Sequence, residues 1–268
     1  MSGSMDPLKK NAVTISGRAD PPRTMVFAHG FGTDQRAWDA VAAAFEADWR
    51  IVRFDHAGAG RSAPGAFVQH RYLSLEGYVE DLVAICDALQ LRDAVMVGHS
   101  VGAMVGLLAT LARPRCSSKL ALLGASPRYL DDEGYHGGLA KTDLDAIYSS
   151  LMQGYAAWAD SYASLAMGNP DRPQLARHFA ESLKAIPQAH ALTVLYSIFQ
   201  SDHRADLRKV AVPTLILQSR EDVAVPMAVA EYLHREIRGS RLVVVEADGH
   251  FPHVSAPQSV VDALRAFA

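Results

Sequence analysis

The sequence predicts an α/β fold in which a mostly parallel central sheet is flanked by helices and interrupted by a helical insertion. Two observations support this prediction. Short apolar runs alternate with segments whose apolar residues recur at spacings of three and four, which is typical of strands alternating with amphipathic helices. The alternation then lapses between about Tyr129 and Ser201, where helix-favouring residues dominate and no strand-like run occurs.

The strands are predicted from apolar runs that are rich in β-branched residues and too short to be buried helices. Six runs fit, at residues 24–30, 50–58, 94–100, 119–127, 214–219 and 241–247, and residues 13–17 are expected to add an edge strand. Helical faces are expected between them, for instance over residues 38–45 and 75–89. Strands joined in this way form a sheet that is covered on both faces.

The block without strands is expected to be an insertion of about four helices between the fourth and fifth of the six runs. Two of its segments, residues 171–186 and 187–200, begin near a proline, which suits a first helical turn. We therefore expect a core of residues 1–128 and 202–268 and a helical lid of residues 129–201.

The composition is that of an ordinary globular protein. The chain has 268 residues, a formal net charge of -3 and 49% apolar residues, which suits one large domain. It contains no apolar run of about 18 residues and its first residues lack an apolar signal core, so we expect a cytoplasmic protein. The slightly acidic balance argues against nucleic acid or an anionic membrane as a partner. Cys86 and Cys116 lie in apolar helical patterns and are expected to be reduced core thiols.

The segment "GHSVG", residues 98–102, places a serine where a predicted strand gives way to a helix. A strand that ends in Gly-x-Ser-x-Gly and runs into a helix is the nucleophile elbow of α/β-hydrolases. Small neighbours let the strand and helix pack tightly, which explains Gly98 and Gly102. Ser100 is therefore the predicted nucleophile.

A serine hydroxyl needs a base to remove its proton, and in this fold the acid and the base follow the serine in the order Asp or Glu, then His. One predicted strand leads into Glu221-Asp222, and the last strand is followed by His250. We assign Asp222 and His250, because Asp222 lies further into its loop than Glu221 does. His253, three residues beyond His250, is the rival base.

The oxyanion that forms during attack needs two N–H donors. The loop "HGFG", residues 29–32, follows a predicted strand and precedes a helix, as the second donor requires. The predicted donors are the backbone N–H groups of Phe31 and Val101.

A second glycine motif, "GAGRSA" at residues 58–63, fits a dinucleotide fingerprint, and Glu80 lies about 20 residues further on. That fingerprint requires the glycine turn to open directly into a helix, whereas Pro64 and Gly65 follow here at once. We interpret the motif as a tight surface turn. We expect no nucleotide cofactor, no other cofactor and no metal ion.

Several stretches together, in order and spacing, resemble the RsbQ-like branch of the α/β-hydrolases, which includes the bacterial stress-response regulator RsbQ and the plant karrikin and strigolactone receptors. They are "HGFGTDQRAW", "DHAGAGRS", "YVEDLVAICDALQL", "GHSVGAM", "QSDHRADL", "LILQSREDVAVP" and "GHFPHVSAP". The resemblance covers nearly the whole chain and is looser in the helical block, which in that family is a V-shaped lid of four helices. It assigns Ser100, Asp222 and His250 to the triad, and Phe31 and Val101 to the oxyanion hole.

The resemblance implies a small, mostly apolar pocket for an ester, an enol ether or a butenolide-type lactone. Nine aromatic residues in or beside the helical block agree with this: Phe31, Tyr129, Tyr148, Tyr155, Trp158, Tyr162, Phe179, Tyr196 and Phe199. We expect about a third of them to contact the ligand, with Phe31, Trp158 and Phe199 the best candidates, and the others to pack helix against helix.

Two functions fit these residues. The first is a cofactor-independent serine hydrolase that works through an acyl-enzyme on Ser100. The second, which the resemblance alone suggests, is a signalling protein that senses a small ligand, turns it over slowly or once, and binds a regulatory protein partner. A serine nucleophile argues against haloalkane dehalogenase and epoxide hydrolase chemistry, which uses a carboxylate. Carbon–carbon bond hydrolysis and perhydrolysis use the same triad and stay open.

Overall fold

The computed structural model describes residues 5–18 and 23–268. Within these residues, seven strands form one sheet in the order β1-β3-β2-β4-β5-β6-β7. The strands are β1 (Thr14–Gly17), β2 (Thr24–Ala28), β3 (Arg50–Arg53), β4 (Ala94–His99), β5 (Ser117–Leu123), β6 (Thr214–Glu221) and β7 (Arg241–Asp248). β1 runs antiparallel to β3 at one edge, and the other neighbouring strands are parallel. The predicted α/β fold with a mostly parallel sheet is confirmed.

The α-helices of the described residues are α1 (Pro7–Lys10), α2 (Asp39–Ala43), α3 (Glu76–Ala88), α4 (Val101–Ala112), α5 (Lys141–Gln153), α6 (Tyr155–Met167), α7 (Pro173–Lys184), α8 (Gln188–Gln200), α9 (Met227–Glu236), α10 (Pro252–Ser255) and α11 (Pro257–Arg265). Four of them, α5 to α8, follow one another between β5 and β6, where the sequence predicts the insertion. The exact limits of core and lid stay predictions, and residues 1–4 and 19–22 of the predicted core lie outside the described residues. Among the helices described, none is both long enough and apolar enough to cross a bilayer.

The central strand β4 is buried along its whole length, because helices cover both faces of the sheet. Its side chains alternate between two cores. Met96 enters the core formed with α3 and α4, whereas Val95 and Val97 enter the opposite core with Trp38 and Val260. This double burial explains why the strand has a continuous apolar sequence.

Three predicted strands extend too far at their carboxyl ends. The runs at residues 24–30, 50–58 and 119–127 stop as strands at Ala28, Arg53 and Leu123. The apolar pattern continues because the following loops are themselves buried, as the shielded side chains of Phe54 and Ala125 show. These buried loops form the carboxyl edge of the sheet, where ligand sites of such folds are built.

The two cysteines are buried, and within the described residues neither forms a disulfide. Cys86 lies in α3, as predicted. Cys116 lies at the end of a short 3-10 helix, Pro114–Cys116, rather than in one of the longer helices. The proline starts a new tight turn after α4 and leads directly into β5.

Candidate active site

Ser100 occupies the turn between β4 and α4, and its backbone conformation is strained. Its φ is 54° and its ψ is -125°, which is costly for a residue with a side chain. The flanking glycines permit the turn. A Cβ on Gly98 would come within 2.4 Å of Ala103 Cα, and one on Gly102 within 2.3 Å of the carbonyl oxygen of His29. The turn therefore has the geometry of the predicted elbow.

Asp222 and His250 follow the neighbouring parallel strands β6 and β7, which bring them to the same edge of the sheet. His250 Nδ1 lies 2.8 Å from Asp222 Oδ2. The other carboxylate oxygen accepts hydrogen bonds from the backbone N–H groups of Ala224 and Val225, at 2.9 and 3.1 Å. Burial by itself would raise the pKa of Asp222, but the attraction of His250 and these hydrogen bonds hold that pKa below its ordinary value. The alternative acid, Glu221, is exposed.

An ionised carboxylate can only accept hydrogen bonds, so Asp222 requires the proton of His250 to sit on Nδ1. The lone pair of His250 is then on Nε2, where a base needs it. The rival His253 has a different environment. It is fully buried, its ring lies 4.3 Å from that of Trp38, and among the described residues neither of its ring nitrogens has a partner. Burial lowers the pKa of His253 to about 3, so it is a neutral core residue.

The hydroxyl of Ser100 is hydrogen-bonded to an aromatic residue and, among the described residues, not to the histidine. Its Oγ lies 3.3 Å from the hydroxyl of Tyr129, the one hydrogen-bond partner that it has among the described residues. Burial raises the pKa of Tyr129 to about 12, so this hydroxyl keeps its proton at neutral pH. Hydrogen bonds between catalytic groups are often long in unliganded enzymes. The sequence identifies Tyr129 as an aromatic beside the helical block but gives no signal for this contact.

The loop with the predicted oxyanion donor lies directly against the elbow. A Cβ on Gly30 would come within 3.2 Å of Ser100 Cβ. The N–H of Phe31 has no acceptor in the described part of the chain. Val101 is the first residue of α4, where helical N–H groups lack an intrahelical partner. Both N–H groups are therefore available beside the serine, as an oxyanion hole requires.

The three predicted ligand contacts lie in different aromatic groups. Phe199 in α8 packs edge-on against Tyr129, with ring centroids 5.8 Å apart. Tyr129 in turn contacts the serine hydroxyl. Trp158 in α6 stacks on Tyr162 at 5.1 Å. Phe31 is half-buried on the loop beside the elbow. Of the three, Phe31 lines one of the two cavities described below, and Trp158 and Phe199 line neither.

The space beside the predicted oxyanion donors is small. Phe31 and Val101 line a cavity of about 30 Å³, together with His56, Val105 and Val194. Ligand pockets of drug-sized molecules are typically about 300–1,000 Å³. A groove of about 1160 Å³ lies nearby, between α7 and the glycine turn, but neither Ser100 nor His250 lines it. Ser100 does not line the smaller cavity either, so neither of these two spaces reaches the serine.

The second glycine motif forms a turn that is filled by a side chain of the protein itself. Gly58 and Gly60 have φ values of 85° and 53°. The carboxylate of Asp55 accepts hydrogen bonds from the backbone N–H groups of Gln35 and Arg61, at 2.9 and 2.8 Å. A Cβ on Gly60 would come within 2.6 Å of that carboxylate carbon. The Asp55 carboxylate therefore fills the space next to Gly60 and accepts from two backbone N–H groups there, which agrees with the interpretation as a turn.

The chain is similar to known hydrolases and plant receptors over most of its length. Residues 25–263 match a family model described as the alpha/beta hydrolase family. The Karrikin insensitive 2 receptor CA of Petunia hybrida is 42% identical over 90% of each chain. The Strigolactone esterase D14 of Arabidopsis thaliana is 40% identical over 94% of each chain. A solved hydrolase from Oleispira antarctica superimposes with a TM-score of 0.94 at 30% identity, covering 98% of this chain and 96% of that one. The predicted resemblance to the plant receptors is confirmed.

Proposed function

The chain belongs to the alpha/beta hydrolase family, and from this premise we propose that it cleaves a small apolar ester, enol ether or butenolide-type lactone through an acyl-enzyme on Ser100. The observation that supports the proposal most directly is the geometry of the site. Ser100 lies on a strained elbow, and His250 is held at 2.8 Å by the buried, ionised Asp222.

The mechanism assigns one role to each group. His250 Nε2 takes the proton of the Ser100 hydroxyl as the oxygen attacks the substrate carbonyl, and the N–H groups of Phe31 and Val101 stabilise the oxyanion. His250 then gives the proton to the leaving oxygen, and Asp222 orients the ring throughout. Water, deprotonated by the same histidine, attacks the acyl carbon, and the histidine returns that proton to the serine oxygen as the bond between that oxygen and the acyl carbon breaks. For the first step, the serine O–H must point to His250 Nε2 rather than to the tyrosine hydroxyl that lies 3.3 Å from it in the resting structure.

The proposed substrate class rests on the relatives and on the lining of the site. Two relatives at about 40% identity are named for karrikin and strigolactone, and one of them is named an esterase. We propose that Phe31, Trp158 and Phe199 contact the apolar part of the ligand. We also propose that residues 129–201 act as a lid, because Phe199 of this segment packs against Tyr129, whose hydroxyl contacts the serine.

A second candidate function is a ligand-sensing signalling protein with slow or single turnover and a protein partner. The name of the relative at 42% identity, a receptor, favours it.

One experiment tests both candidates. A butenolide enol ether is supplied in molar excess, and product release and intact protein mass are followed together for the wild type and for Ser100→Ala. Many turnovers that are lost in the variant support the hydrolase. About one equivalent of product with a lasting adduct supports the sensor. Equal rates in both proteins would refute both, because neither function works without the serine.

A further inference from the structure

The position of His250 is fixed by hydrogen bonds at three of its four polar groups. Its Nδ1 is bonded to Asp222, and its backbone N–H donates to the carbonyl oxygen of Ala166 in α6 at 2.7 Å. Its backbone carbonyl oxygen lies 2.7 Å from Nε2 of His99. The fourth polar group, Nε2, is the atom that must receive the serine proton, and it stays available for that step.

His99 is the last residue of β4 and the residue directly before Ser100. It is fully shielded from solvent, and its ring centroid lies 4.7 Å from that of His250 and 4.9 Å from that of Phe251. A Cβ on Gly30 would come within 2.6 Å of its Nδ1. The imidazole is therefore wedged between the loop with the oxyanion donor and the segment with the catalytic base.

The protonation state of His99 follows from its partner. A carbonyl oxygen only accepts, so Nε2 must hold the proton and donate it. Nδ1 has no partner in the described residues and stays an unprotonated nitrogen. Burial, reinforced by the neighbouring imidazoles of His253 and His250, holds the pKa of His99 well below its ordinary value, so the ring is neutral.

We propose that His99 is a positioning residue, whose Nε2–H holds the carbonyl group of His250 and thereby sets the distance between that base and Ser100. The inference rests on the proposed hydrolase mechanism. One peptide bond joins His99 to the nucleophile and one hydrogen bond joins it to the base, so a single side chain connects the two reacting groups. His99 itself does not contact the reacting atoms. A displacement of about 1 Å in such a geometry costs on the order of 100-fold in rate.

The test compares two substitutions of His99 whose side chains, Gln and Met, have similar lengths. In His99→Gln the amide nitrogen replaces Nε2 and still donates to the carbonyl oxygen, whereas in His99→Met no donor is left. His253→Met is the control, because it also removes a fully buried imidazole of the same cluster but one that makes no bond to His250. All proteins are assayed with an activated acyl ester, well below their measured unfolding temperatures. Active-site titration of Ser100 with a fluorophosphonate gives the folded fraction.

We expect kcat to fall roughly 10-fold to 100-fold in His99→Met with KM changed less than about twofold. His99→Gln should recover to within about threefold of the wild type, and His253→Met should keep wild-type kcat at reduced stability. Equal kcat per titrated site in His99→Met and the wild type would overturn the inference. So would equal losses in the Met and Gln variants, which would indicate a packing role.

Failure of the proposed function has a different signature. In that case the wild type hydrolyses the ester no faster than Ser100→Ala does, and the inference is then decided by the phosphonylation rate of Ser100, measured by intact mass. That rate also depends on the base, so it should fall in His99→Met and recover in His99→Gln. An unchanged phosphonylation rate in His99→Met would overturn the inference on this readout as well.

Discussion

Acid should destabilise this protein well above the pH at which its carboxylates are protonated. His56, His99 and His253 are buried, and burial is the main cause that holds the pKa of each well below its ordinary value. They are therefore neutral in the folded protein at about pH 5.5, whereas in the unfolded chain a histidine has a pKa of about 6.5 and is protonated there. The unfolded state thus binds more protons, so stability is complete above about pH 6.5 and falls as the pH falls.

The magnitude follows from linkage. At a pH one unit below the histidine pKa of the unfolded chain, each imidazole that stays neutral in the folded protein lowers the free energy of unfolding by about 1.4 kcal/mol. Lowering the pH from about 8 to about 5.5 should therefore reduce the free energy of unfolding by about 4 kcal/mol for the three residues together. Burial lowers the pKa of His29 as well, which acts in the same direction. Domains are typically stable by about 5–15 kcal/mol, so the loss is a large part of the total.

Urea unfolding followed by tryptophan fluorescence at both pH values measures this loss, provided that the m-value stays constant. The control is His253→Phe, which keeps an aromatic ring against Trp38 but cannot take up a proton. The pH-dependent loss should shrink by about 1.4 kcal/mol in this variant. A free energy of unfolding that does not change between the two pH values, or an equal pH-dependent loss in His253→Phe and the wild type, would refute the reasoning.

Three substitutions test other parts of the site. Tyr129→Phe should speed acylation by an activated ester about fivefold in a pre-steady-state burst, because a hydrogen bond of about 1 kcal/mol no longer competes with the base; a slower burst would contradict this. Asp222→Asn should lower kcat on the order of 10⁴-fold, because His250 is then no longer held in the tautomer that has its proton on Nδ1. Glu221→Gln should have wild-type kcat. Equal losses in these two would show that the wrong acid is assigned. Gly102→Ala should lower the free energy of unfolding by roughly 2 kcal/mol or more, because its Cβ meets a backbone oxygen at 2.3 Å. Gly106→Ala, where the Cβ meets only a flexible methionine side chain, should stay within about 1 kcal/mol of the wild type, and similar losses in both would contradict the steric argument.

The order and type of the main elements could be predicted from the sequence because a sheet buried on both faces imposes continuous apolar runs. The pairing of Asp222 with His250 could be predicted for a related reason, since both follow parallel strands that end at one edge of the sheet. Strand ends were less predictable, because the loops at that edge are buried and have the same apolar pattern as the strands.

Other features of the site leave no trace in the sequence. The contact between Tyr129 and Ser100 depends on how the loop after β5 returns over the elbow. The bond from His99 to the carbonyl group of His250 joins residues that are 151 positions apart. Neither contact follows a local spacing, so periodicity and motif matching do not reveal it. Both become apparent only when each polar group of the site is followed to its partner.

The buried histidines connect the acid sensitivity to the proposed chemistry. A protonated His99 would carry an uncompensated charge in the core, beside the backbone of His250, and burial excludes that state from the fold. In the described part of the chain, the neutral ring donates its Nε2–H to the carbonyl oxygen of His250 at 2.7 Å. The buried position of His99 therefore has two effects. It lowers the stability of the fold in acid, and it keeps the ring in the neutral form whose Nε2–H is proposed to position the base. Replacing His99 by Gln should separate the two effects, because an amide keeps the donor and takes up no proton, so this variant should lose less stability in acid while retaining kcat.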